Sequence, residues 1–94
     1  MSTTTPQRHT VYFAGHVQGV GFRYTARSIA RGYEVAGFVR NLPDGRVELV
    51  AEGQPREVEA FLREVRDRFS HQIRDERIDV QPATGEFAGF EIRH

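Results

Sequence analysis

Apolar and polar residues alternate in several short segments of this chain, which is the pattern of strands with one buried face. In one of them Val47, Leu49 and Ala51 fall on one side, and two glutamates fall on the other. The same alternation, together with β-branched and aromatic residues, predicts strands over 10–14, 35–42, 46–52, 77–81 and 87–93. A Pro-Asp-Gly turn at 43–45 joins the second strand to the third as a hairpin.

Two other segments carry apolar residues three and four positions apart, which is the period of an amphipathic helix. The first helix is predicted to begin at Phe22 and to end near Gly32. Pro55 suits the first turn of the second helix. The apolar stripe of this second helix consists of Val58, Phe61, Leu62, Val65 and Phe69.

The predicted elements follow the order strand, helix, strand, strand, helix, strand, strand. Because each helix has a single apolar stripe, both are expected to cover one face of the same sheet. We therefore predict an α+β two-layer sandwich of the ferredoxin-like, split βαβ type, with an additional C-terminal strand and an antiparallel sheet. Residues 1–7 are predicted to form a flexible polar tail, and residues 8–94 a single domain.

Composition narrows the classes of function. The 94 residues carry 13 basic and 13 acidic side chains, and this zero net charge disfavours a general nucleic-acid binder. The chain has no cysteine, which excludes disulfides and thiolate catalysis, and the spacing of its four histidines is not typical of a metal site. It has no apolar run of about 20 residues and no signal-peptide pattern, so a cytoplasmic protein that binds no membrane is expected.

RNA-recognition domains share this order of elements and are therefore a competing interpretation. Their third strand carries aromatic residues, whereas 46–52 has none and contains two glutamates, so RNA binding is disfavoured. No apolar stripe remains once the helices and the sheet are covered, and a monomer is therefore expected.

A glycine-rich loop over 15–21 joins the first strand to the first helix. Such a loop can direct several backbone N–H groups toward one point, and the following helix N-terminus adds positive potential. Arg23 falls in the first turn of that helix, where its guanidinium is able to bind a phosphate or a carboxylate. The segment is either a cradle for an oxyanion or a glycine-rich turn followed by a surface arginine.

A second polar residue, Asn41, lies near the end of the second predicted strand. Its carboxamide both donates and accepts hydrogen bonds, so it is able to hold a water molecule against a substrate. Asparagine also commonly begins turns, and the residues alone favour that structural role.

These two segments resemble the motifs of the acylphosphatase family. The residues from Gly15 to Arg23 match Gly-x-Val-Gln-Gly-Val-x-Phe-Arg, and those from Gly37 to Glu48 match Gly-aromatic-Val-Arg-Asn followed by Asp-Gly-x-Val-Glu. The resemblance extends over nearly the whole chain and implies the same two-helix, five-strand sandwich. It further implies that Arg23 binds the substrate phosphate and that Asn41 positions the attacking water. The substrate-binding cradle that it implies consists of His16, Val17, Gln18, Gly19, Val20, Gly21 and Phe22.

The activity implied by the resemblance is hydrolysis of a small acyl phosphate to a carboxylate and inorganic phosphate. A carboxylate with a pKa near ~4 departs without being protonated, so the reaction needs only a bound phosphoryl group and one aligned water. No metal and no cofactor are therefore expected, and inorganic phosphate or sulfate is expected to compete with the substrate. The alternative is a non-catalytic acylphosphatase-like domain that binds anions.

The chain departs from the usual family pattern in three places. Phe38 replaces a tryptophan, 31–33 reads Arg-Gly-Tyr where Leu-Gly-Leu is usual, and 69–74 lacks a frequent Gly-Pro. The last of these segments is expected to lie away from the two motifs.

Overall fold

A computed structural model describes residues 5–94 as two helices and one five-stranded sheet. The strands are β1 Gln7–Gly15, β2 Ala36–Asn41, β3 Val47–Gly53, β4 Ile73–Pro82 and β5 Phe90–Arg93, and the helices are α1 Phe22–Ala30 and α2 Pro55–Arg68. The seven predicted elements are thus present in the predicted order. Among the described residues no helix has the length and apolar character needed to cross a membrane.

The strands lie in the order β4-β1-β3-β2-β5. The three pairs formed by the first four strands are antiparallel, whereas β5 is parallel to β2, so the prediction of an antiparallel sheet is wrong for this last pair. The cause is the connection 83–89, which crosses the end of the sheet from β4 to the opposite edge. There the Gly37 N–H donates to Gly89 O at 2.9 Å. Because β5 begins beside the start of β2, it runs in the same direction as β2.

Pairing with a neighbour, and not the side-chain pattern, fixes the ends of several strands. β1 and β4 are longer than predicted because their backbones pair along all nine residues of β1, although many of the added residues are polar. β5 begins later than predicted, because Phe87 is not part of the strand. Its ring packs against the Phe38 ring instead, with the ring centroids 5.8 Å apart. Of the tail predicted over 1–7, residues 1–4 lie outside the described part of the chain, and Gln7 belongs to β1.

The core lies between the sheet and the two helices, as the apolar patterns predict. Val47, Leu49 and Ala51 of β3 are fully buried there. Both ends of the glycine-rich loop are also anchored in this core, because Val17 is 0% and Phe22 only 2% exposed. The core therefore holds the loop in place at the end of the sheet.

On the sheet face opposite the helices, Glu52 ties the crossing connection to β1. Its buried carboxylate accepts hydrogen bonds from Arg8 Nε at 2.7 Å and from the N–H groups of Thr84 at 2.9 Å and Gly85 at 3.0 Å. Burial by itself raises the pKa of Glu52, but the hydrogen bonds outweigh burial, and the net pKa lies below the ordinary value of 4.5.

Replacing Glu52 by Gln is expected to lower the free energy of unfolding at neutral pH by about 1–3 kcal/mol, because charge-assisted hydrogen bonds are lost. A carboxyl group whose pKa is depressed in the folded state stabilises the fold above its ordinary pKa. This contribution disappears as the pH falls through the folded-state value. The difference in unfolding free energy between the wild type and Glu52→Gln should therefore become smaller below a pH of about 4.5. Denaturant unfolding at a series of pH values measures this difference, and Glu59→Gln, at an exposed glutamate, is the control. A difference that does not change with pH would contradict the stabilising role of the Glu52 carboxylate.

Candidate active site

The loop between β1 and α1 contains two residues in the left-handed conformation. Gly19 has φ 77° and Gly21 has φ 79°, a region in which other residues are strained. Apart from the adjacent residues, no described atom lies within 4 Å of the position that a Cβ atom would take at either glycine. The backbone conformation, and not a lack of space, therefore requires glycine here, and this side of the loop is open to a ligand.

Several N–H groups of this loop and of the start of α1 have no acceptor within the described protein. Those of Gly19, Gly21 and Arg23 donate to no atom of residues 5–94. The first turn of α1 also has no side-chain cap and no acidic residue. Such open N–H groups carry positive partial charge at a helix N-terminus. The segment thus presents both donors and positive potential to an anion.

Arg23 and Asn41 line one cleft of about 350 Å³, although they belong to different elements. Arg23 lies in the first turn of α1, and its Nη1 atom is 3.3 Å from Nδ1 of His94. Asn41 is the last residue of β2, and its carboxamide forms no hydrogen bond with the described residues. Both side chains therefore offer polar groups to a ligand in the cleft.

Gln18 fixes the loop to the turn that follows Asn41. Its Nε2 atom donates to Leu42 O at 2.8 Å and to Arg46 O at 2.9 Å. These two carbonyl groups close the β2–β3 turn, where the Leu42 N–H also donates to Arg46 O at 2.8 Å. The Gln18 side chain therefore joins the loop to the turn behind Asn41, and substrate binding by Gln18 stays a prediction.

The predicted site residues that line the cleft are Val17, Gly19, Gly21, Phe22, Arg23 and Asn41. The other three, His16, Gln18 and Val20, lie outside its lining, and the Val20 side chain packs against the core. The His16 N–H donates to Gln72 O at 2.9 Å, because the chain there still runs beside the start of β4. That backbone donor is occupied and is not available to an anion, while the membership of the His16 side chain in the substrate-binding cradle stays a prediction.

The atypical segment 69–74 contacts the loop, and the prediction that it lies away from the motifs is wrong. The Phe69 ring stacks on the Phe22 ring with centroids 4.4 Å apart. Gln72 accepts the hydrogen bond from His16 on the same side. The end of α2 packs against the start of α1, and this departure from the family pattern therefore supports the loop directly.

Sequence reasoning missed four residues that line the cleft, namely Tyr24, Arg27, Ile92 and His94. Arg27 follows Arg23 by four positions on α1, and this helical spacing was a usable signal. Ile92 and His94 reach the cleft because β5 lies beside β2, a pairing that no side-chain pattern indicated.

The charged side chains along the cleft are arginines, and no described Asp or Glu lines it. Among residues 5–94 there is also no group of three His, Asp or Glu side chains placed to hold a metal ion. Arginine and open N–H groups together are typical of sites for phosphoryl oxygens. The cleft is therefore suited to an anionic ligand.

Known proteins resemble this chain in both sequence and fold. The family model described as Acylphosphatase matches residues 9–92. An acylphosphatase of Rubrobacter xylanophilus is 41% identical over 93 residues, covering 98% of this chain and 84% of the relative. One of Syntrophus aciditrophicus is 48% identical over 88 residues, covering 92% and 91%. The crystal structure of acylphosphatase from Bacillus subtilis aligns with a TM-score of 0.85 at 32% identity, covering 94% of this chain and 99% of that one.

Proposed function

Because this chain belongs to the acylphosphatase family and is an acylphosphatase, we propose that its glycine-rich loop and Arg23 bind the substrate's phosphoryl group while Asn41 positions the attacking water. One observation carries the proposal. Open loop N–H groups, a guanidinium group and a carboxamide with no hydrogen-bond partner among residues 5–94 line the same cleft. The substrate class is a small acyl phosphate.

The phosphoryl oxygens are bound first by the N–H groups around Gly19 and Gly21 and by the Arg23 guanidinium. Arg23 has no carboxylate partner among the described residues, so its charge is not neutralised before the substrate arrives. Donors that are already in place stabilise the charge of the transition state without reorganisation. The same donors explain why inorganic phosphate or sulfate is expected to compete with the substrate.

Asn41 acts on the water and not on the phosphoryl oxygens. It ends β2 and lines the cleft, and Gln18 fixes the turn behind it. A carboxamide is neutral, accepts a hydrogen bond from water through its oxygen and donates through its nitrogen. It therefore orients a water molecule toward phosphorus without repelling the phosphate.

The bond changes need no covalent intermediate on the protein. The water oxygen bonds to phosphorus as the bond between phosphorus and the acyl oxygen breaks, and the electron pair leaves with the carboxylate. The proton that the water loses ends on the phosphate product. A carboxylate is a good leaving group, so the protein is not required to protonate it.

The alternative of anion binding without turnover is less well supported. The chain has the arginine expected to bind the phosphate and the asparagine expected to position the water. The relatives that match most of the chain are described as acylphosphatases. We also propose that the enzyme is monomeric, since the exposed large apolar side chains of residues 5–94 are limited to Tyr24, Ile78 and Val80. A cytoplasmic location is proposed because the chain lacks cysteine, which fits a reducing compartment.

Hydrolysis of benzoyl phosphate by the purified protein is expected to continue unchanged in excess EDTA and to be inhibited competitively by inorganic phosphate. The physical reason is that Arg23 and the loop N–H groups supply the positive charge that the transition state requires. Initial rates with and without EDTA measure the first effect, and inhibition at several substrate concentrations measures the second. Loss of activity in EDTA that Mg²⁺ restores would contradict the proposed mechanism.

A further inference from the structure

A second arginine, Arg27, lines the same cleft as Arg23. The two residues are four positions apart on α1, which places their Cα atoms about 6 Å apart along the helix axis. The buried face of the helix is formed by Phe22, Ala26 and Ile29, so both arginines project beside that face toward the cleft. Arg27 therefore extends the positive lining away from the loop.

Arg27 is held in position without being neutralised. Its guanidinium lies over the Tyr24 ring, 5.3 Å from the ring centroid. In the described part of the chain no carboxylate lies within 4.0 Å of it, whereas five other arginines have such a partner, namely Arg8, Arg40, Arg46, Arg66 and Arg93. Tyr24 is 67% exposed, which is unusual for a large aromatic residue and leaves its ring beside the cleft.

The phosphoryl group does not account for this second charge. In the proposed function the loop N–H groups and Arg23 bind that group, and Arg27 lies one helical turn farther from the loop on α1. Ile92 lines the cleft as well, and its apolar side chain suits the methylene groups of an acyl chain. The remaining part of the substrate, its acyl group, is therefore the part that reaches Arg27.

On the basis of the proposed function, we propose that Arg27 binds an anionic group at the far end of the acyl chain. The enzyme then prefers acyl phosphates whose acyl chain ends in a second anion, a carboxylate or a phosphate. Arg27 is a specificity-determining residue in this arrangement and takes no part in the bond changes.

A purely structural role for Arg27 is the main competing explanation. It lies in the last turn of α1, where a basic residue interacts favourably with the helix dipole. That role would affect the stability of the fold, but it would not distinguish between substrates. Arg31 offers a matched control, since it carries the same charge one turn farther on and lies outside the lining of the cleft.

The test compares succinyl phosphate with butyryl phosphate, which has the same number of carbon atoms but no distal charge. We expect the wild type to show a kcat/KM about fivefold higher for succinyl phosphate, mostly through KM, as befits one partly exposed ion pair. Arg27→Gln should reduce this ratio to about one, Arg27→Lys should retain most of it, and Arg31→Gln should leave it unchanged. 3-Phosphonopropionyl phosphate, run in parallel, places a phosphonate where succinyl phosphate has its carboxylate, and Arg27→Gln should remove its advantage over butyryl phosphate as well.

Rates are corrected for spontaneous hydrolysis, and thermal unfolding confirms that each variant is folded. An equal kcat/KM for both substrates in the wild type, or an equal loss of the ratio in Arg27→Gln and Arg31→Gln, would overturn the inference while leaving the proposed function intact. Hydrolysis of neither compound by the wild type would overturn the proposed function as well.

Discussion

Arg23→Ala is expected to lower kcat/KM for benzoyl phosphate by at least about 10²–10³-fold and to weaken inhibition by inorganic phosphate at the same time. Removing a single preorganised donor costs that much in comparable sites, and here a full positive charge is lost with the donors. Arg23 contacts the phosphoryl oxygens before and during the reaction, so binding and turnover should fall together. Steady-state kinetics and the phosphate inhibition constant measure the two effects.

Arg31→Ala is the matched control for this experiment, because it removes an exposed arginine from the end of the same helix. Arg23 is only partly buried and lies outside the apolar core, so Arg23→Ala should unfold at nearly the same temperature as the wild type. A folded Arg23→Ala protein with near-wild-type kcat/KM would remove Arg23 from the mechanism.

Asn41→Ala is expected to lower kcat by about 10²–10³-fold, roughly 3–4 kcal/mol, while inorganic phosphate still inhibits at a similar concentration. The reason is that the carboxamide orients the water and leaves the phosphoryl group to Arg23 and the loop. The kcat and the inhibition constant are measured on the same preparation, with thermal unfolding as the check on folding.

The comparison of the two variants tests the division of roles between them. If Asn41→Ala raises the phosphate inhibition constant as much as Arg23→Ala does, then Asn41 binds phosphate and does not act chiefly on water. Asn41→Asp is a useful companion, because it keeps the shape of the side chain but places a negative charge beside the phosphoryl oxygens. It should therefore weaken phosphate inhibition, unlike Asn41→Ala.

The sequence predicted those parts of the molecule that depend on local pattern. Helix α2 follows from the spacing of Val58, Phe61 and Leu62, and the loop follows from its glycines. The convergence of Arg23 and Asn41 on one cleft agrees with the family motifs, which carried the prediction of their roles. The pattern within one segment was therefore sufficient for α2 and for the loop, whereas the roles of Arg23 and Asn41 required the family motifs.

Features that depend on contacts between distant segments were not predicted. The parallel direction of β5 results from the path of the connection 83–89, and nothing in the alternation of Phe90 and Ile92 encodes that path. The hydrogen bonds of Gln18 and of the His16 N–H each involve a partner more than 20 residues away. Which donors are left open for a ligand is decided only when those long-range partners are in place.

The order of the strands also determines when the cleft forms during folding. Only β2 and β3 pair as a local hairpin, whereas β1 pairs with β4, and Arg23 meets His94 across 71 positions of sequence. Loops of that length close late and slow the folding reaction. Detachment of the four-residue β5 would remove one wall of the cleft while β1 to β4 stay paired. Amide hydrogen exchange at Ile92 would then report these openings, in which the enzyme is inactive. Hydrogen exchange at Leu49, deep in β3, would not detect them.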